Sequence, residues 1–180
     1  LNYNPDANLD DGSCEYDDNA NYSLDFDGFS SFVDISDTDI LDMNLSDFTI
    51  EAWVLNRNEN DEKYIIGKMD GTRNGYGLVK NQDGRLISTF RKEGIYSDAV
   101  INVVSDPIEL NIWYHVTGVL DRDVGAKLYI NGELADEVFD TKLENIQINN
   151  SEILAVGKLY GYGAITPFDG LIDDVKIWNF

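Results

Sequence analysis

Four carboxylates in two short apolar-polar runs have the clearest capacity for chemistry: Asp25 and Asp27 in "LDFDG", and Asp173 and Asp174 in "LIDDVKIW". Asp25 and Asp27 flank Phe26, so in an extended chain both point away from the side that Phe26 takes. Clustered acids without cationic partners repel, and a hard cation relieves that repulsion. Calcium takes about six to eight oxygens, from carboxylates, backbone carbonyls and water. The same acids also read as solvated residues of edge strands. Near the start of the chain, Asp6, Asn8 and Asp10 form a D-x-N-x-D run, the opening of a calcium loop. The match breaks further on, where Gly12 falls one position late and the twelfth position holds no Glu. A looser calcium turn and a solvated acidic leader are both open there.

The basic residues are unevenly spread. Residues 57–92 hold eight of the thirteen Lys and Arg and five of the thirty-four acids, a net of +3; the remaining five basic and twenty-nine acidic residues sum to −24. A basic patch on an acidic protein can receive a carboxylate- or sulfate-bearing sugar through guanidinium forks, with Arg73, Arg85 and Arg91 as candidates. Pairing with the molecule's own acids is the competing reading. Sugar binding also needs flat apolar faces. Tyr76, Tyr96, Tyr160 and Tyr162 lie in glycine-rich text ("RNGYG", "EGIYSD", "KLYGYGAI") and are expected in exposed loops.

Catalytic groupings are missing. His115 is the only histidine and sits inside "WYHVTG", a strand-like setting that suits a structural role. No nucleophile motif accompanies it. Glycoside hydrolysis needs two carboxylates aimed at one bond, and Glu51 in "TIEAWV" stands alone. One Cys and one His do not make a zinc site. The reading is a binding domain and not an enzyme. A net charge of −21 makes nucleic acid and anionic membranes poor partners. No apolar run is long enough for membrane insertion. Cys14, the only cysteine, cannot form an internal disulfide; it is a free thiol or pairs outside this chain. With no initiator Met and no signal-peptide pattern, the chain is expected to be a piece of a larger protein.

These residues must be positioned mainly by strands. From Leu24 onward the text is a series of runs of five to nine residues, bounded by Gly, Asn or Asp. "FTIEAWVLN" puts Phe48, Ile50, Ala52 and Val54 on one face. Asn131-Gly132 within "KLYINGELAD" predicts a type I′ hairpin, and "NQDGRL" a second one. No stretch keeps a helical period. About a dozen short strands and 180 residues with 43% hydrophobic content predict one all-β domain, an antiparallel two-sheet β-sandwich. Residues 1–21 form a polar leader and residues 22–180 the sandwich.

Five stretches in order, "LDFDGFSSFVDI", "DFTIEAWVLN", "NIWYHVTGVLD", "KLYINGEL" and "FDGLIDDVKIWN", resemble the laminin G-like, concanavalin A-like jelly-roll family over residues 22–179. The closing F-x-G-x-I-D-D-V pattern is part of that likeness. The resemblance implies that first and last strands are neighbours and that a structural calcium lies where they meet. That calcium would be held by Asp27 and Asp174, with Asp25, Gly28 and Asp173 contributing. The opening "NYNPDANLDDGSCEY" resembles a cysteine-containing repeat of secreted bacterial proteins, thrombospondin type 3-like in style. This second resemblance implies an extracellular setting and a disulfide partner for Cys14 before Leu1. Together they imply a non-catalytic, calcium-stabilised carbohydrate-binding module of a secreted or cell-surface bacterial protein, facing a polysaccharide and other domains of the same polypeptide. An adhesion or spacer domain that binds protein is the alternative. A polysaccharide hydrolase or lyase on the same fold is a third reading.

Overall fold

The structure is a computed structural model that describes residues 22–58, 61–92, 99–160 and 167–180. Asp6, Asn8, Asp10, Cys14, Tyr96 and Tyr162 lie outside the described residues.

Twelve strands occur among the described residues: β1 (Leu24–Asp27), β2 (Val33–Ile35), β3 (Phe48–Asn56), β4 (Lys63–Met69), β5 (Gly75–Lys80), β6 (Arg85–Lys92), β7 (Ala99–Pro107), β8 (Trp113–Asp121), β9 (Gly125–Ile130), β10 (Glu133–Val138), β11 (Leu154–Val156) and β12 (Asp169–Asn179). They form two six-stranded antiparallel sheets. Sheet A runs β1-β12-β3-β8-β9-β10, and sheet B runs β2-β11-β4-β5-β6-β7. The predicted sandwich is therefore the observed fold.

The core lies between the sheets. On β3 the even positions Phe48, Ile50, Ala52 and Val54 are wholly buried, while Trp53 is 39% exposed. That alternation is what a strand with one wet face requires. Phe48 packs edge-on against Tyr76 and Phe90 of sheet B, with centroids 5.1 and 5.3 Å apart. In sheet B every residue of β4 and β5 is buried. A second apolar cluster, Tyr64, Met69, Val79 and Leu159, covers its outer face.

Turn chemistry follows the residues. Asn131 and Gly132 join β9 to β10 with φ of 54° and 81°, the left-handed pair that a type I′ turn needs. Asn131 Oδ1 also accepts the His115 N–H at 2.9 Å, which ties this hairpin to β8. Between β5 and β6, Asn81 Oδ1 accepts the N–H groups of Asp83 and Arg85. Four cations are buried among the described residues: Lys63, Lys68, Lys80 and Arg122. Arg122 is 2% exposed and donates to the carbonyls of Ser46, Leu143, Ile146 and Asn44 at 2.6 to 3.0 Å. Lys68, 1% exposed, donates to the carbonyls of Asn150 and Glu152 and lies 2.7 Å from Asp37.

Candidate functional site

The first and last strands do pair: Leu24 lies opposite Ile172 and Asp27 opposite Asp169. The register nevertheless separates the acids expected to share calcium. Asp174 is five positions beyond Asp169, about 17 Å from Asp27 at about 3.4 Å per residue. Calcium–oxygen bonds are about 2.3–2.6 Å, so one ion cannot bridge that gap.

The individual acids are also engaged elsewhere. Asp27 Oδ1 accepts the N–H groups of Phe29, Ser30 and Ser31, and Oδ2 accepts the Ser30 hydroxyl. The backbone N–H donors, Ser30's first, hold the Asp27 carboxyl far below the usual carboxylate range. Gly28, with φ of 76°, turns the chain out of β1 and donates to the Phe168 carbonyl. Asp25 makes a two-pronged ion pair with Arg57 at 2.6 and 3.2 Å. The five residues therefore do not fit one calcium, and no group of three or more His, Cys, Asp or Glu suited to a metal occurs among the described residues.

The basic and aromatic candidates separate in the same way. Tyr76 is not a loop residue. It is 2% exposed on β5, its hydroxyl donates to the Leu41 carbonyl at 2.9 Å, and burial pushes its phenol well above the ordinary value. Its glycine neighbours belong to the strand: Gly77 has no room for a Cβ, which would fall 2.7 Å from the Ile66 carbonyl oxygen. Arg85 opens β6 and donates to the Ser105 carbonyl, six residues and about 20 Å from Arg91. Tyr160 donates to Asp34 at 2.5 Å, accepts from Lys158, and with Phe32 sandwiches that ammonium, 3.7 and 3.1 Å from the ring centroids.

Arg73 and Arg91 do come together. Both are half-buried and line a pocket of about 170 Å³ on the outer face of sheet B, with Glu62, Tyr64, Met69 and Leu159. The β5–β6 register explains the meeting, since Gly75 lies opposite Arg91 and Arg73 precedes it by two residues. A hydrogen-bond knot on Asp70 fixes the approach. Its Oδ1 accepts the N–H groups of Thr72 and Asn74 and the Thr72 hydroxyl, and Oδ2 accepts from the Asn74 amide. Burial alone would raise the Asp70 pKa; the hydrogen bonds from Asn74 and Thr72 outweigh it and hold the carboxyl below the usual value. The loop so tied holds Arg73 in the left-handed region at φ 62°, a conformation a side-chain-bearing residue seldom adopts. Tyr64 lies on a glycine floor, because a Cβ on Gly67 would sit 2.9 Å from its ring. Burial first, and then the charge of Glu62, pushes its phenol up to about 12; the charges of Arg91 and Arg73 and a hydrogen bond with Arg91 work in the opposite direction. Tyr64 was not foreseen, because "KYIIGK" reads as an ordinary core strand.

A second, larger concavity of about 530 Å³ lies on the outer face of sheet A, lined by Tyr22, Trp53, Trp113, Leu171, Asp173 and Asp174. Trp53 and Trp113 lie in strand text, "EAWV" and "NIWYHV". Parity could have revealed them, since Trp53 is out of phase with Ile50, Ala52 and Val54. Beside the groove, Trp53 rests against His115 at 5.1 Å, and His115 Nε2 is 3.6 Å from Glu51. Trp178 donates to Glu51 at 3.2 Å.

Comparison with known proteins supplies relatives. Botulinum neurotoxin type E of Clostridium botulinum is 29% identical over 195 residues, covering 97% of this chain and 15% of the toxin. The chain thus spans about one seventh of the curated relatives it matches. Among solved structures, the binding domain of Paraclostridial Mosquitocidal Protein 1 superposes with a TM-score of 0.68 at 22% identity, over 87% of this chain and 39% of that one. The CBM40 of Ruminococcus gnavus IT-sialidase, solved with α2,3-sialyllactose, superposes with a TM-score of 0.66 at 16% identity, over 87% and 88% of the two chains. Residues 27–180 match the laminin G-type family model described as the concanavalin A-like lectin/glucanases superfamily, and the chain belongs to that family.

Proposed function

We propose that this chain is a non-catalytic carbohydrate-binding domain of a secreted or cell-surface bacterial protein, and that it takes a carboxylate-bearing glycan in the Arg73–Arg91 pocket. One observation carries the reading: two guanidinium groups converge on one small pocket in a protein whose net charge is −21. Planar guanidinium groups receive a carboxylate through two-pronged, charge-assisted hydrogen bonds. Tyr64, Met69 and Leu159 are buried and form an apolar wall beside the two guanidinium groups.

 
The apolar cluster that holds Tyr64, Met69, Val79 and Leu159 together supplies that wall. The likeness to a domain solved with sialyllactose supports the choice of ligand class.

The experiment is isothermal titration of the whole chain with 3′-sialyllactose and with lactose. Saturable binding of the first and not of the second is expected. Equal binding of both, or of neither, overturns the reading. Because the sandwich acids do not fit one calcium ion, affinity is expected to be the same in EDTA and in millimolar calcium, and a loss in EDTA would refute a calcium-free pocket.

A further inference from the structure

The groove on sheet A belongs to the opposite face of the molecule from the arginine pocket, and its chemistry differs. All three tryptophans of the chain lie on this outer face: Trp53 on β3, Trp113 on β8 and Trp178 on β12. Trp53 pairs with His115 and Trp113 with Leu55, so the two indoles are diagonal neighbours on adjacent strands. Such neighbours lie about 7–8 Å apart, close enough for one short ligand to touch both.

The wall facing them is built by an irregularity in β12. Asp173 pairs with Trp53 and Lys176 with Glu51, so three steps on β12 match two on β3. The extra residue is a β-bulge, and Asp174 takes φ of 49° within it. Consecutive residues of a regular strand point to opposite faces. Here Asp173 and Asp174 both line the same groove, and Val175 takes the inward position. The Asp174 N–H is bound to Asp173 Oδ1 at 2.8 Å, which fixes the pair, and Lys176 lies 3.4 Å from Asp174.

We infer that this groove is a second glycan site, one that takes a neutral pyranose chain. Indole faces accept the C–H side of a sugar ring, and carboxylates accept hydrogen bonds from its hydroxyl groups. Two carboxylates at one wall repel a sialylated or sulfated chain, so charge separates this ligand from that of the arginine pocket. The volume of about 530 Å³ falls within the range of small-ligand sites. Glu51, held between Trp178 and His115, anchors the row on which Trp53 rests.

The test uses the whole chain carrying Trp178→Phe, so that Trp53 and Trp113 dominate the fluorescence. It is titrated with neutral hexasaccharides of glucose, mannose, galactose and xylose, and with 3′-sialyllactose. At least one neutral hexasaccharide is expected to change the tryptophan emission saturably. Trp53→Ala and Trp113→Ala are expected to weaken it at least tenfold, as read by calorimetry, with near-ultraviolet circular dichroism confirming the fold. Asp174→Asn, which tolerates the left-handed backbone, is expected to weaken it severalfold. Arg91→Gln is expected to leave it unchanged, which keeps this site distinguishable from the arginine pocket. Absence of binding by every neutral hexasaccharide, or binding indifferent to both tryptophans, overturns the inference. So does shielding of both indoles from acrylamide in the free protein, which would mean that another segment or a second copy fills the groove.

Discussion

Replacing Arg91 by Gln removes the charge, shortens the side chain and cuts its N–H donors from about five to two, while keeping a planar polar end. Arg91 is half-buried beside Tyr64 and across the ladder from Gly75, so its guanidinium has little freedom to leave the pocket. A hydrogen bond to a charged group contributes about 1.5–3 kcal/mol, and partial exposure favours the lower part of that range. A loss of about 2 kcal/mol weakens binding about 30-fold. The assay is calorimetric titration with 3′-sialyllactose at physiological ionic strength. Arg85→Gln supplies the control, because it removes the same charge about 20 Å away along β6. Screening acts over about 8 Å, so that variant is expected to bind within twofold of the parent. Tyr64→Phe removes the phenol hydroxyl that meets Arg91 and tests whether that contact aims the guanidinium. Arg91→Gln binding within twofold of the parent refutes the reasoning. Equal losses in Arg85→Gln and Arg91→Gln refute it as well, because they would reduce the effect to overall charge.

Arg122→Met fills similar volume but orphans the carbonyls of Ser46, Leu143, Ile146 and Asn44. Buried unsatisfied groups cost about 1–3 kcal/mol each, so a total loss of at least about 3 kcal/mol is expected. At about 2–4 °C per kcal/mol for a chain of this size, calorimetry should read a Tm lower by at least about 6 °C. Gly157→Ala forces a Cβ to within 2.3 Å of the Phe26 ring at a backbone φ of 81°, so a loss of about 3 kcal/mol or more is expected in urea unfolding. Asp70 contributes stability that is fully present above the unfolded carboxyl value of about 3.9 and is lost as pH falls through its depressed folded value. Between about pH 5 and about pH 2 the parent Tm should therefore fall more steeply than that of Asp70→Asn.

Much of the architecture is legible in the chain because local rules settle it. Period-two alternation in "FTIEAWVLN" names the buried side of β3, and Asn131-Gly132 names the turn between β9 and β10. The same alternation carries Trp53 outward, although its apolar character suggests the core. The arginine pocket is half-legible: the basic excess of residues 57–92 is visible, but nothing local selects Arg73 and Arg91 over Arg85. That selection depends on the antiparallel register of β5 and β6, which sets Gly75 against Arg91. Tyr76 shows the limit of local reading, since its flanking glycines suit a loop and also suit a strand packed closely against Ile66.

By itself the sequence determined the sandwich, the pairing turns and the charge asymmetry, because each follows from residues near one another in the chain. Only the tertiary structure decided which charged groups meet. Asp27 and Asp174 sit on neighbouring strands yet lie about 17 Å apart, since pairing fixes position along a strand as firmly as adjacency across it. Register is a property of two strands at once, and no single run of residues encodes it.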